Sequence, residues 1–139
     1  MKVVKFGGSS VASAEQISKI IDIVVSDTDR RIVVVSAPGK RTGDDAKVTD
    51  LLIALANQVI EGGDFEPALQ RVIERYAELA ENLDLPSEVI ASIEADVRGR
   101  IASRGDHMLQ FMDDMKASGE DNNGKVIAAA IKNNLRMQP

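Results

Sequence analysis

The sequence contains no cysteine and no tryptophan, one histidine, three phenylalanines and one tyrosine. Without cysteine there is no disulfide scaffold, no thiolate zinc site and no cysteine nucleophile. The lone His107 leaves little room for a histidine-based metal centre or a Ser–His–Asp triad. So few aromatic rings make no platform for stacked bases. Lys and Arg number 17 against 22 Asp and Glu, a net charge of -5, so the basic face that nucleic-acid binding requires is missing. Long apolar runs are missing too. Ile32 to Val35 and Val126 to Ile131 fall far below the roughly 20 residues of a membrane-spanning helix. The start, Met1-Lys2-Val3-Val4-Lys5-Phe6-Gly7-Gly8, is too short in apolar residues for a signal peptide. These absences lead to the expectation of a cytoplasmic protein with neither nucleic-acid nor membrane partners. What remains is ordinary globular material: 44% hydrophobic and 28% charged over 139 residues, one domain or a piece of one.

Periodicity organises the chain. Lys2 to Phe6 reads as a strand ending at a glycine pair. Ser13 and Gln16 have capping-box spacing, and Ile17, Ile20, Ile21 and Val24 follow at helical intervals to about Ser26. Ile32 to Val35, unbroken and β-branched, reads as a strand buried on both faces. Residues 1–36 therefore form a βαβ unit with parallel strands. Ala37 to Lys47, with Pro38, Gly39 and Gly43, reads as a polar mobile loop. Residues 48–134 then turn helical. Val48 or Thr49 opens a helix through Ile60, stopped by Gly62-Gly63. Phe65, Leu69, Val72, Ile73, Tyr76 and Leu79 mark a second helix. Ser87 caps a third carrying Val89, Ile90, Ile93 and Val97. Gly105-Asp106 interrupts before Met108, Met112 and Met115, whose spacing suits packing, and Val126 to Ile131 lies in the last helix. The total, roughly 60% helix with two strands, far exceeds the usual third. Two parallel strands alone do not make a self-sufficient core, so the pattern is that of the front part of a larger α/β domain.

One segment carries chemistry. Lys5-Phe6-Gly7-Gly8-Ser9-Ser10 runs from a strand end through two glycines toward a helix, where free amides and a lysine favour an anion. It is neither a Walker A loop nor a G-x-G-x-x-G fingerprint, and on spacing alone an ordinary tight turn with a solvated lysine suits it equally.

Residues Met1 to Val11 resemble the opening of the aspartate kinases, Lys-Phe-Gly-Gly-Ser/Thr-Ser-Val. The resemblance continues through Val33-Val34-Val35-Ser36-Ala37 and Val48-Thr49-Asp50-Leu51-Leu52, and returns at Ser118-Gly119-Glu120, in the family's order. It implies the amino-acid-kinase fold, a three-layer αβα sandwich of the α/β class, of which this chain would be the helix-rich N-terminal part. It also implies phosphorylation of the side-chain carboxylate of L-aspartate by ATP with Mg2+, giving 4-phospho-L-aspartate in the route to lysine, threonine and methionine. On that resemblance Lys5 would contact the transferring phosphoryl group, and Gly7, Gly8 and Ser9 would hold the ATP phosphates. Thr49 and Glu120 would bind aspartate, Glu120 through its α-ammonium, and Ser36 and Ala37 would line the floor. The parent enzyme would be a homo-oligomer.

The residues have plainer readings. Thr49 by itself is an N-cap. Ser118-Gly119-Glu120-Asp121-Asn122-Asn123 by itself is a helix start rich in capping groups. Gly105-Asp106 imitates the Gly119-Glu120 block but lacks the preceding serine. His107 suits a surface or helix-start position. Lys40, Arg41 and Lys47 could steer anionic substrates, but with Asp44 and Asp45 between them they read more readily as a solvated loop, and Asp113-Asp114 reads as a solvated helix face. The resemblance also implies elements not found in the sequence: an adenine pocket, an arginine for the substrate α-carboxylate, an acidic residue and a second lysine. The isolated chain is therefore expected to be inactive, and its uncovered strand to aggregate, swap or dimerise. Two alternatives are a kinase of the same family with another acceptor and a non-catalytic helical interaction module.

Overall fold

The computed structural model describes residues 1–137; Gln138 and Pro139, read in the sequence as following the last helix, lie outside it. Strands β1 (Lys2–Phe6) and β2 (Arg30–Val35) pair in parallel, with Val3 beside Ile32, Val4 beside Val33, Lys5 beside Val34 and Phe6 beside Val35. A single 3-10 turn (Gly8–Val11) and helix α1 (Ala14–Val25) connect them. The expected βαβ unit is therefore present. Ser13 starts α1 as anticipated: its hydroxyl accepts the Gln16 N–H at 3.3 Å, satisfying one of the unpaired first-turn amides. Ile17, Ile20, Ile21 and Val24 form one buried stripe along α1.

Side chains alternate across a strand, so the register sorts the sheet into two faces. Val4, Phe6, Val33 and Val35 pack against the core, where α1 and α5 meet β2. On the other face Val3 is 61% exposed and Ile32 and Val34 are each 44% exposed. This corrects the reading of Ile32 to Val35 as buried on both sides. The run is apolar enough for two covers, but among the described residues helices cover one.

Four further helices follow among the described residues: α2 (Val48–Ile60), α3 (Glu66–Asn82), α4 (Ser87–Ala102) and α5 (Met108–Met137). Helix α2 packs on α3 and α5, and α4 on α3 and α5. Leu52, Leu55, Leu69, Val72, Tyr76, Leu79, Ile93, Val97 and Met115 are fully buried at the shared core. Gly62, with φ of 76°, ends α2 in the left-handed region that glycine tolerates. Ser87 is the first residue of α4 rather than its cap; Pro86 holds that position, and it has no side-chain donor or acceptor to offer. His107 does sit at a helix start, its Nδ1 accepting the Gln110 N–H at 3.2 Å. Of the three spaced methionines, Met115 is buried and Met112 half-buried, while Met108 is exposed. Among the described residues no helix is long and apolar enough to cross a membrane.

Helix α5 departs most from expectation. The polar cluster from Ser118 to Asn123 begins nothing; it lies inside a 30-residue helix, with Ser118, Gly119, Asn122 and Asn123 buried. Polar side chains break helices when they compete for the local backbone. Here the two asparagines bond elsewhere: Asn122 Nδ2 donates to Asp96 at 2.9 Å and Asn123 Nδ2 to the Ser36 carbonyl at 2.7 Å. A Cβ on Gly119 would stand 2.8 Å from Ala37 Cβ and 3.1 Å from Leu52 Cδ1. The missing side chain lets α5 lie against the end of β2 and the flank of α2. The buried Tyr76 hydroxyl, its pKa pushed up by desolvation, donates to the Gly119 carbonyl at 2.8 Å and fixes that approach.

Candidate functional site

The loops that leave β1 and β2 cross at the C-terminal ends of the strands, where open α/β sheets place their ligands. The Ser36 N–H donates to Phe6 O at 3.1 Å, extending the pairing one step past β2. The Gly39 N–H then donates to Gly8 O at 2.9 Å, and the Val48 N–H to Pro38 O at 3.0 Å. A Cβ on Gly39 would meet Gly8 C at 2.7 Å and Gly8 O at 2.8 Å, while one on Gly8 would meet Ala37 O at 3.2 Å. Neither glycine has a positive φ; both serve close approach of backbone to backbone. The start of the 37–47 segment is accordingly packed rather than solvated. Ala37, Pro38 and Gly39 are buried because the glycine contact and α5 pack on them.

Over this crossing opens a cavity of about 570 Å³. Six residues singled out in the sequence line it: Gly8, Ser9, Ser36, Ala37, Thr49 and Glu120. They come from four separate segments. Thr49 is not the N-cap of α2, since Lys47 holds that position without a side-chain bond; Thr49 is the second helical residue and half-buried. Glu120 projects from the interior of α5 and is exposed. Lys5 and Gly7 are not in the lining. Strand alternation puts Lys5 on the open sheet face with Val3, Ile32 and Val34, where it makes no hydrogen bond or ion pair with the described residues.

Sequence reasoning missed Pro38 and Gly39 as lining residues and ranked Lys40 and Lys47 as solvated charges ahead of their steering of anionic substrates. Pro38-Gly39 was visible as turn chemistry, but its contact with Gly8 depends on the strand pairing. The two lysines were grouped with Arg41, Asp44 and Asp45 as a solvated set. The structure splits that set. Arg41 forks Asp45 (Nε to Oδ2 2.6 Å, Nη2 to Oδ1 2.9 Å) and also bonds Glu78 on α3. The Arg41 guanidinium holds the Asp45 carboxyl well below the usual carboxylate range, and Asp45 in turn raises Arg41. With Asp45 thus engaged, Lys40 and Lys47 bring positive charge to the cavity and Glu120 is its one carboxylate. Such a mixture suits a ligand bearing both anionic groups and an ammonium. A second cavity of about 320 Å³ lies where α4 meets α5. There Arg100 is already paired with Asp96 at 2.9 Å, Asp114 at 3.0 Å and Asp121 at 2.8 Å, while Arg104 donates to the Ile101 carbonyl at 2.6 Å and none of the glycine-crossing residues contributes. Asp113 and Asp114 are both exposed, as expected of a solvated helix face, and Asp114 also accepts from Arg100.

Aspartokinase 3 of Bacillus subtilis is 50% identical over 132 residues, which cover 95% of this chain and 29% of that protein. The chain superposes on the Clostridium acetobutylicum aspartate kinase with a TM-score of 0.83 at 33% identity, over 94% of this chain and 29% of that one. It superposes on Escherichia coli aspartokinase III in complex with aspartate and ADP with a TM-score of 0.70 at 27% identity, covering 95% and 29%. The chain therefore spans under a third of these relatives and matches the N-terminal, helix-rich part of an aspartate kinase fold. The model of the amino acid kinase family matches residues 1–136, and with its glycine crossing, parallel strands and lined cavity the chain belongs to that family.

Proposed function

We propose that this chain supplies the aspartate- and phosphate-facing half of an aspartate kinase site. The observation that carries this reading is the convergence of Gly8, Ser9, Ser36, Ala37, Thr49 and Glu120 on one cavity beside Lys40 and Lys47. In the reaction, a side-chain carboxylate oxygen of L-aspartate attacks the γ-phosphorus of ATP. The new O–P bond forms as the bond to the β–γ bridging oxygen breaks, and ADP leaves with that electron pair. No general base is needed, because a carboxyl group of pKa about 3.9 is already ionised at neutral pH. The protein's work is alignment and positive potential around the phosphoryl oxygens. Gly7, Gly8 and Ser9 would provide amides and a hydroxyl to the phosphates, and Lys5 a point charge at the transferring group. Thr49 and Glu120 would hold aspartate, Glu120 by accepting from the α-ammonium, with Ser36 and Ala37 as the floor. Magnesium would enter with ATP as part of the substrate.

A complete set of donors needs residues beyond these, so the chain by itself is proposed not to turn over. In the cell it would work in the cytoplasm as part of a homo-oligomeric enzyme. The test grafts this segment into a protein of the relatives' length and traps the acyl phosphate with hydroxylamine. Lys5→Ala should lower kcat far more than it raises the KM for aspartate, whereas Glu120→Gln should act mainly on that KM. Unchanged turnover in Lys5→Ala would refute the assignment of Lys5.

A further inference from the structure

Arg75 of α3 is only 5% exposed, yet nothing in the apolar core calls for a guanidinium there. Its Nη2 donates to the Gly39 carbonyl at 2.7 Å. Asp45 is the nearest counter-charge, at 3.8 Å, and Nε and Nη1 are buried without a partner among the described residues. Burial lowers its pKa from the ordinary value, with the neighbouring Arg41 charge acting in the same direction. A buried charge so incompletely paired is a poor device for stability, since apolar replacements of such groups are often neutral or stabilising. What it does hold is one backbone atom. Gly39 accepts from Arg75 through its carbonyl and donates through its N–H to Gly8 O at 2.9 Å, so α3, the 37–47 segment and the glycine loop are joined in series. The Arg41–Asp45 fork and its bond to Glu78 fasten the same segment to α3 a second time.

The geometry points to Arg75 as the positioning residue of the phosphate loop: by holding the Gly39 carbonyl it sets where Gly8 and Ser9 stand over the cavity, without touching the ligand. Gly8 and Gly39 are in backbone contact, so any slip of Gly39 is passed directly to Gly8. For its binding readout this inference rests on the nucleotide reading of the cavity; for its structural readout it does not.

The experiment compares Arg75→Met, which keeps length and loses the donor, with Arg75→Lys, which can still donate to Gly39 O. Amide hydrogen exchange of the chain is read residue by residue, and ADP with magnesium is titrated by calorimetry. In Arg75→Met, exchange at Gly39 should accelerate about tenfold or more, the scale of losing one hydrogen bond to a charged donor, while α1 and α4 keep their protection. ADP affinity should fall by a similar factor, and Arg75→Lys should restore most of both. Acceleration spread evenly over all elements, or unchanged exchange at Gly39, would overturn the proposal. Should Arg75→Met fail to fold, Gly39→Ala decides: its Cβ pushes against Gly8 with Arg75 intact and must weaken ADP binding, and wild-type affinity there would count against the series linkage. If the unaltered chain does not bind ADP, the nucleotide reading fails, and exchange at Gly39 still decides the role of Arg75.

Discussion

On one face of the sheet Val4, Phe6, Val33 and Val35 press against α1 and α5; on the other, Val3, Ile32 and Val34 stand open around Lys5. Both faces are built largely from valine and isoleucine, with Phe6 added on the covered side and Lys5 on the open one. They differ in what lies above them, a property of the fold that a run such as Ile32 to Val35 does not encode. The candidate cavity belongs with the covered side, floored by Ser36 and Ala37 and walled by α2 and α5, whereas Lys5 belongs with the open side. The proposed catalytic lysine and the proposed substrate cavity thus stand on different sides of one sheet edge.

This contrast can be broken by mutation. Leu52→Ala, in the core below the cavity, should cost about 2–5 kcal/mol in urea unfolding, while Val34→Ala on the open face should change stability by no more than about 0.5 kcal/mol. Equal costs would erase the distinction between the faces. The helical side makes its own comparison. Gly119→Ala drives a methyl into Ala37 and Leu52 and should destabilise by about 1–3 kcal/mol. Gly99→Ala in α4 meets nothing within 4 Å and should stabilise by up to about 1 kcal/mol. Thermal unfolding gives both signs, and two losses of equal size would show that helix geometry rather than close packing governs Gly119. Replacing Ile32 and Val34 together by threonine should leave the fold intact and lower self-association in sedimentation velocity, because it removes apolar surface beside open strand edges. Unchanged association would move the sticky surface elsewhere.

The smallest effect concerns acid. Asp45 is held below its unfolded value by Arg41, so the clamp contributes stability that is fully present above about pH 4. That contribution disappears as pH falls through the lower folded-state value. Asp45→Asn should therefore flatten the acid limb of the stability profile and leave the neutral region nearly parallel to wild type. An acid limb identical in the variant would remove the clamp from the account.

Much of this could be read from the chain before the structure. The βαβ unit and helices α1 to α4 follow from local periodicity, and the start of α1 from the Ser13 cap, which the fold reinforces. What stayed hidden depends on partners distant in sequence. Asn122 and Asn123 looked like a helix start because their partners, Asp96 and the Ser36 carbonyl, lie 26 and 87 residues away. Gly39 looked like loop punctuation because its need for a missing side chain arises only when β2 sits beside β1. Arg75 looked like one more charge on an amphipathic helix. Of the site residues, six came together as a lined cavity because each sits at the end or start of an element, or on the face of α5 turned toward β2. Lys5 sits one residue from a strand end, and alternation alone places it outside.

The most direct measurement is a titration of the chain with ADP and magnesium, then with aspartate, followed by amide chemical shifts. The site reading requires saturable shifts concentrated at Gly8, Ser9, Ala37, Gly39, Thr49 and Glu120. Shifts confined to the Arg100 and His107 cavity, or none at millimolar ligand, would contradict it.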